Sequence, residues 1–356
     1  MLFSPATLGP LSLKNHLVMA PLTRNRAIGN LPNALMAQYY AQRAGAGLII
    51  TEGTSPSPNG LGYARIPGVF SAEQIAGWRV VADAVHAAGG TIVMQLMHCG
   101  RVSNTLNMPA GARVLAPSVV PAIGQIFTDA AGLQPHTAPQ AMTEDDIAAT
   151  VAEYARAATN AMAAGCDGVE LHGANGYLIE QFIRSTSNQR TDRYGGPITH
   201  RVRFALEVID AMTHAIGADR VGIRLSPLGV FNDMPLYNAM ESEYTYLAHE
   251  LSTRGLLYVH LVDHSSMGAP VVPVSMKATF KGTSSTALIL SGGYDVARAE
   301  HDLETHRADL IAVGRPYLAN PDLADRWEHG AAANAPDMST FYTPGPKGYT
   351  DYPTLT

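Results

Sequence analysis

The stretch ELHGANGYLIEQF, residues 170–182, places His172, Asn175 and Tyr177 within a few positions of one another, directly after an apolar run. All three side chains can donate a hydrogen bond. Donors gathered where a strand ends either satisfy one another in a loop or wait for an acceptor that the chain does not supply. A parallel barrel carries its chemistry at the C-terminal ends of its strands, so the polar residues at other strand ends are the natural companions of this set.

Two further groups stand at such ends. Gly292-Gly293 and Gly314-Arg315 have the make-up of a phosphate site, in which glycines let backbone N–H groups approach the anion and the arginine adds a bidentate charge. The same glycines would also serve as plain turns. Arg224 lies inside the apolar run VGIRLSP, and Gln95 inside TIVMQL. A buried arginine needs a carboxylate or an electron-rich ligand, which leaves open either a structural ion pair or a cofactor. Together Gln95 and Arg224 suit the pyrimidine edge of a flavin, which alternates donors and acceptors and gains negative charge on reduction. Other barrel chemistries fit less well. Lys14, Lys277, Lys281 and Lys347 all fall outside the apolar runs, against Schiff-base chemistry. His98, His172 and His260 could in principle ligate zinc, but zinc is disfavoured, and His98 and His260 also read as core histidines. No metal is expected. Glu52 and Asp263 are candidate members of structural ion pairs.

The elements that must position these residues are legible. The chain has 356 residues, 46% hydrophobic and 15% charged, enough for a large core and without the signature of disorder. A formal charge of -6 with no basic block argues against nucleic acid and a polybasic membrane anchor. No signal-peptide pattern opens the chain and no long apolar run interrupts it, so a soluble, cytoplasmic protein is expected. Cys99 and Cys166 read as plain thiols. Apolar runs at 17–23, 47–53, 91–98, 168–173, 221–227, 258–263, 287–293 and 310–316 alternate with helical periodicity at 32–44, 71–88, 143–164, 200–216, 239–254 and 295–306. Thr143-Glu-Asp-Asp146 reads as a helix cap. About eight such units predict an α/β fold of the TIM (β/α)8 type. No GxGxxG follows the first run, which disfavours a Rossmann domain. The first sixteen residues read as a hairpin capping the barrel bottom, 99–142 as a long excursion over the site after the third strand, and 331–356 as a non-helical tail near it. The whole, 1–356, is taken as one domain.

From MAPLTRNRA through YYAQRAGAGLIITEGT, VMQLMHCGR, GVELHGANGYLIEQFIRSTSNQRTDRYGG and GIRLSP to VGRPYLANPDL and GYTDYP, the chain resembles the Old Yellow Enzyme family of FMN-dependent ene-reductases. The resemblance implies tightly bound, non-covalent FMN and reduction by NADPH or NADH. Thr23 would bond the flavin carbonyl near N5, with Pro21, Leu22 and Gly53 beside the ring. Gln95 would hold the pyrimidine edge and Arg224 the reduced flavin. Gly292, Gly293, Gly314 and Arg315 would hold the phosphate, in accord with the independent argument above. His172, also a flavin neighbour, and Asn175 would bind the oxygen of an activating carbonyl or nitro group, and Tyr177 would protonate the α carbon. Tyr63, Met97 and Tyr349 would line the substrate pocket. Met97 departs from the tryptophan that many members carry, Thr23 marks the threonine branch, and Asn175 is one of two usual choices.

The implied activity is ping-pong reduction of the activated C=C bond of α,β-unsaturated carbonyl or nitro compounds, hydride passing through flavin N5. Two fixed donors would stabilise the enolate-like charge that develops on the acceptor oxygen. The alternatives are a nitro-compound or nitrate-ester reductase, and a non-catalytic barrel that binds flavin or phenols. Electron-poor alkenes, with nitro compounds and phenolic inhibitors, are the expected small-molecule partners. A monomer or a homodimer is expected.

Overall fold

Alternation along each strand decides what this barrel holds inside. The computed structural model describes residues 1–282 and 286–355. Eight parallel strands, β1 (Leu17–Met19), β2 (Leu48–Ile50), β3 (Ile92–Leu96), β4 (Gly168–Gly173), β5 (Val221–Leu225), β6 (Tyr258–Val262), β7 (Ala287–Ser291) and β8 (Leu310–Val313), close on themselves in sequence order. Leu17, Met19, Met94, Leu96, Leu171, Ile223, Leu225, Val259 and Leu261 pack outward into the core shared with the helices. The residues between them point inward. In the lower layers these are apolar: Val18, Leu48, Val93, Tyr258, Ile289 and Leu310 form a second cluster. Higher up they are Gln95, Glu170, His172, Arg224 and His260, all buried. Register then sets Gln95 beside Glu170, His172 beside Arg224, and Arg224 beside His260.

The strands stop earlier than the apolar runs suggest. The first run reaches 23 and β1 ends at Met19, the second reaches 53 and β2 ends at Ile50. At each C-terminal end the backbone leaves the ladder to bring side chains over the barrel mouth, which hydropathy cannot register. Helices follow expectation more closely. Thr143 and Asp146 form a reciprocal capping box at 3.1 and 2.9 Å ahead of Glu144–Ala163, and Ser71 with Gln74 does the same ahead of Ala72–Ala87. The poorly patterned segment after Asp263 contains the helix Val274–Gly282. Among the described residues no helix is long and apolar enough to cross a membrane.

Three additions complete the barrel. The N-terminal hairpin, Ala6–Leu8 against Leu11–Leu13, inserts Leu8, Leu11 and Leu13 into the lower apolar cluster and plugs the bottom. The excursion after β3 is more ordered than its composition suggests, with an antiparallel hairpin, Gln125–Thr128 against Gly132–Pro135, and a short parallel pair, Leu115–Ala116 with Gln140–Ala141. The tail crosses the barrel mouth through the turn Met338–Thr340. Because Leu13 is 3% exposed inside the plug, Leu13→Ala is expected to destabilise the protein by about 2–5 kcal/mol in urea unfolding.

Candidate active site

The inward polar residues form a connected belt. Gln95 Nε2 donates to Glu170 Oε1 at 2.7 Å, and the other carboxylate oxygen meets His260 Nδ1 at 2.9 Å. Burial holds the His260 imidazolium below its ordinary range, so Nδ1–H donates to Glu170 while Nε2, 3.1 Å from Ser291 Oγ, accepts. Arg224 stands beside this belt, with Glu170 as the carboxylate that most favours its charged form. Its Nε is buried without a partner, and its side chain faces the cavity above. A buried guanidinium with unmet donors suits an anionic or acceptor-rich ligand. Glu170 was not singled out from sequence, although it lies two residues before His172 on the same strand face.

At the end of β4 the His172, Asn175 and Tyr177 set takes shape. The Ala174 N–H donates to His172 Nδ1 at 3.3 Å, which leaves the ring proton on Nε2. Burial, followed by Arg224, His260 and His264, keeps His172 well below the usual histidine range and therefore neutral. Asn175 has a left-handed backbone, φ +59°. The Tyr177 ring meets His172 edge to face at 4.9 Å, and its hydroxyl lies 3.1 Å from that of Tyr63. Burial pushes both phenols above their ordinary range, so both hold their protons at neutral pH.

This loop is held from below by Glu180. Its carboxylate accepts from Gly176 N–H at 2.7 Å, Arg184 at 2.7 and 3.1 Å, Ser226 Oγ at 3.0 Å and Tyr244 at 2.9 Å. Gln181 ties the loop to the one after β3, donating to Gly176 O and Cys99 O and accepting from Arg101 N–H. Neither residue was assigned from sequence, although both lie in the quoted motif. Their helical spacing after Tyr177 shows only that they share one side of a short helix, Leu178–Ile183.

One cavity of about 790 Å³ gathers most of the candidates: Pro21, Leu22, Thr23, Tyr63, Gln95, Met97, His172, Asn175, Tyr177, Arg224 and Arg315. Gly53 supports it from behind, since a Cβ there would lie 2.5 Å from Met97 Sδ. At the ends of β7 and β8, Gly292 has φ +123° and no space for a side chain, a Cβ falling 2.0 Å from Asp263 O. The amides of Gly292, Gly293 and Gly314 donate to no protein acceptor among the described residues. These free amides beside Arg315, together with the unmet Arg224 guanidinium, fit a ligand with an acceptor-rich ring and a phosphate. The excursion hairpin adds Phe127 and His136 to the wall, and the loop after β5 adds Phe231 and Asn232. Only the fold brings these to the site.

The tail corrects one expectation. Tyr349 does not line the cavity; it is fully buried, stacked on Tyr39 at 3.9 Å, with Arg24 and Arg26 against its ring. Arg24 donates to Phe341 O and Gly348 O, and Arg26 to Thr340 O and Phe341 O, so the tail is fixed by its carbonyls. Phe341 and Tyr342 therefore form the wall. Asp263 does form an ion pair, with Lys277 at 2.9 Å. Glu52, under Arg24 and Arg26, does not: Tyr40 donates to Oε1 at 3.3 Å, and burial pushes the carboxyl up to about 7.

The matches to known proteins agree with this geometry. The model of the NADH:flavin oxidoreductase / NADH oxidase family matches residues 1–334. The chain is 42% identical over 362 residues to a chanoclavine-I aldehyde reductase of Penicillium roqueforti (strain FM164), covering 99% of this chain and 95% of that protein. It is 41% identical over 360 residues to a probable flavin mononucleotide-dependent alkene reductase of Leishmania infantum, covering 99% and 97%. A structure of morphinone reductase in complex with tetrahydroNAD superposes with a TM-score of 0.94 at 44% identity, covering 100% of this chain and 98% of that one. Fold and matches together define an NAD(P)H-dependent flavin oxidoreductase built on a TIM barrel, with FMN as its cofactor. The chain belongs to the NADH:flavin oxidoreductase / NADH oxidase family, that of Old Yellow Enzyme.

Glu52 supplies a test of the tail anchor. Its folded pKa of about 7 lies above the ordinary 4.5, so its contribution to stability is complete below about pH 4.5 and is lost as pH rises through 7. Denaturation at pH 5 and pH 8 should show wild type losing stability relative to Glu52→Gln, by on the order of 3 kcal/mol.

Proposed function

We propose that residues 1–356 act as a single FMN-binding unit that reduces the activated C=C bond of α,β-unsaturated carbonyl or nitro compounds. The observation that carries this is the juxtaposition, on one cavity wall, of a neutral His172 with its proton on Nε2, the Asn175 side chain and the protonated Tyr177 hydroxyl. The relatives named as an aldehyde reductase and an alkene reductase support the same chemistry.

Gln95 and Arg224 would hold the polar edge of the flavin, Thr23 with Pro21, Leu22 and Gly53 its ring, and the amides of Gly292, Gly293 and Gly314 with Arg315 its phosphate. When bound, FMN supplies hydride chemistry, taking two electrons from NAD(P)H and delivering them to the β carbon of the alkene. The protein's own residues do the rest. His172 Nε2–H and the Asn175 amide donate to the carbonyl or nitro oxygen and stabilise the charge that develops there. A neutral imidazole does this without protonating the oxygen. Tyr177 gives its proton to the α carbon, and the Tyr63 hydroxyl at 3.1 Å is placed to restore it. One cavity would serve nicotinamide and alkene in turn, a ping-pong cycle. Met97, buried behind Gly53 and in the same apolar cluster as Tyr177, would shape the floor on which the alkene lies.

The experiment is anaerobic. Yellow protein should bleach with NADPH and recover its colour on addition of 2-cyclohexenone; bleaching without recovery, while a nitrate ester restores the colour, would replace the alkene by that acceptor. Tyr177→Phe should slow recovery by about 10²–10⁴-fold and bleaching by no more than a few-fold. Equal losses in the two steps would remove Tyr177 as proton donor.

A further inference from the structure

Strained backbone gathers at one contact beside the cavity. Asn232 and Asp233, in the loop after β5, have left-handed φ of +55° and +59°, and Asn175 across from them has +59°. Asparagine tolerates this region better than most residues, but it persists only where neighbours hold it. Here the neighbours are each other. Asn232 Nδ2 donates to the Asn175 carbonyl at 2.8 Å, while the Asn175 N–H donates to Ser226 Oγ at 2.9 Å. Both sides of the Asn175 backbone are thus gripped by the segment that follows β5. Gly176 lets the two loops approach, since a Cβ there would lie 2.9 Å from Phe231 O and 3.0 Å from Asn232 Cβ. Asn232 also lines the cavity.

We propose that Asn232 is a positioning residue for alkene reduction: it fixes the backbone from which Asn175 aims its amide at the substrate oxygen. The proposal rests on the role given to Asn175 above. A left-handed residue is free to turn when its carbonyl is released, and the amide it carries then loses its direction.

Asn232→Gly removes the amide while accepting the same backbone without penalty. Stopped-flow recovery of NADPH-reduced protein by 2-cyclohexenone should slow roughly tenfold, with weaker enone binding. In an Asn175→Ala background the same substitution should cost clearly less, under threefold, because its target is already gone. Equal losses in the two backgrounds, or no loss in the first, would overturn the proposal. Should the glycine variant fail to retain flavin, Asn232→Asp keeps a residue that tolerates the backbone and removes the donor; wild-type rates in that variant would overturn it equally. Wild-type protein that never recovers with the enone would instead bring down the underlying reaction, and this role with it.

Discussion

The carboxylate of Glu180 is the contact on which the site depends. It is 1% exposed and takes hydrogen bonds from a loop amide, an arginine, a serine and a tyrosine that come from separate segments of the chain. A buried charge of this kind is tolerable only when nearly every lone pair is met, so each donor is held by the cost of leaving it. Those donors are the frame of the site. Gly176 fixes the loop that carries Asn175 and Tyr177, Ser226 passes the constraint to the Asn175 amide, and Arg184 extends it to the carbonyls of Ser226 and Gly229 beyond β5. A short helix that looks like an ordinary crossover thus decides where three functional side chains stand.

Above that frame the barrel divides into two regimes. Its lower half is sealed by leucines of the N-terminal hairpin against valine, leucine and isoleucine, which gives rigidity with no polar demand. Its upper half holds a belt from Gln95 to Ser291 whose members satisfy one another, except where Arg224 is left facing the cavity. An unmet donor beside a satisfied network marks where a ligand belongs more sharply than the concavity does.

The cavity wall is assembled from distant pieces, and small residues set its limits. Gly53 gives up a side chain so that Met97 can occupy the floor, and Tyr349 withdraws under Arg24 and Arg26 so that Phe341 and Tyr342 can come forward. Both arrangements follow from space already taken by a neighbour. The tail is held by carbonyls on two buried guanidiniums, a mode of fixing that requires no particular tail side chain.

Periodicity and motif order were enough to read eight βα units, the plugging hairpin, the capped helix at Thr143 and the residues that line the cavity from β1, β3, β4 and β5. These are properties of local spacing: a period of two puts Gln95, His172 and Arg224 on the inward face whatever else the chain does. What the sequence could not decide was every contact between segments far apart along it. The partners of Glu180, the pairing of Asn232 with Asn175, the hairpin within the excursion and the burial of Tyr349 depend on which loops meet over the mouth. That is settled by packing, by competition for space and by the need to satisfy buried charge in three dimensions. An aromatic residue near the end of a tail carries no local mark of whether it will face a ligand or an arginine. Only the closed barrel, with the tail drawn across it, made that choice.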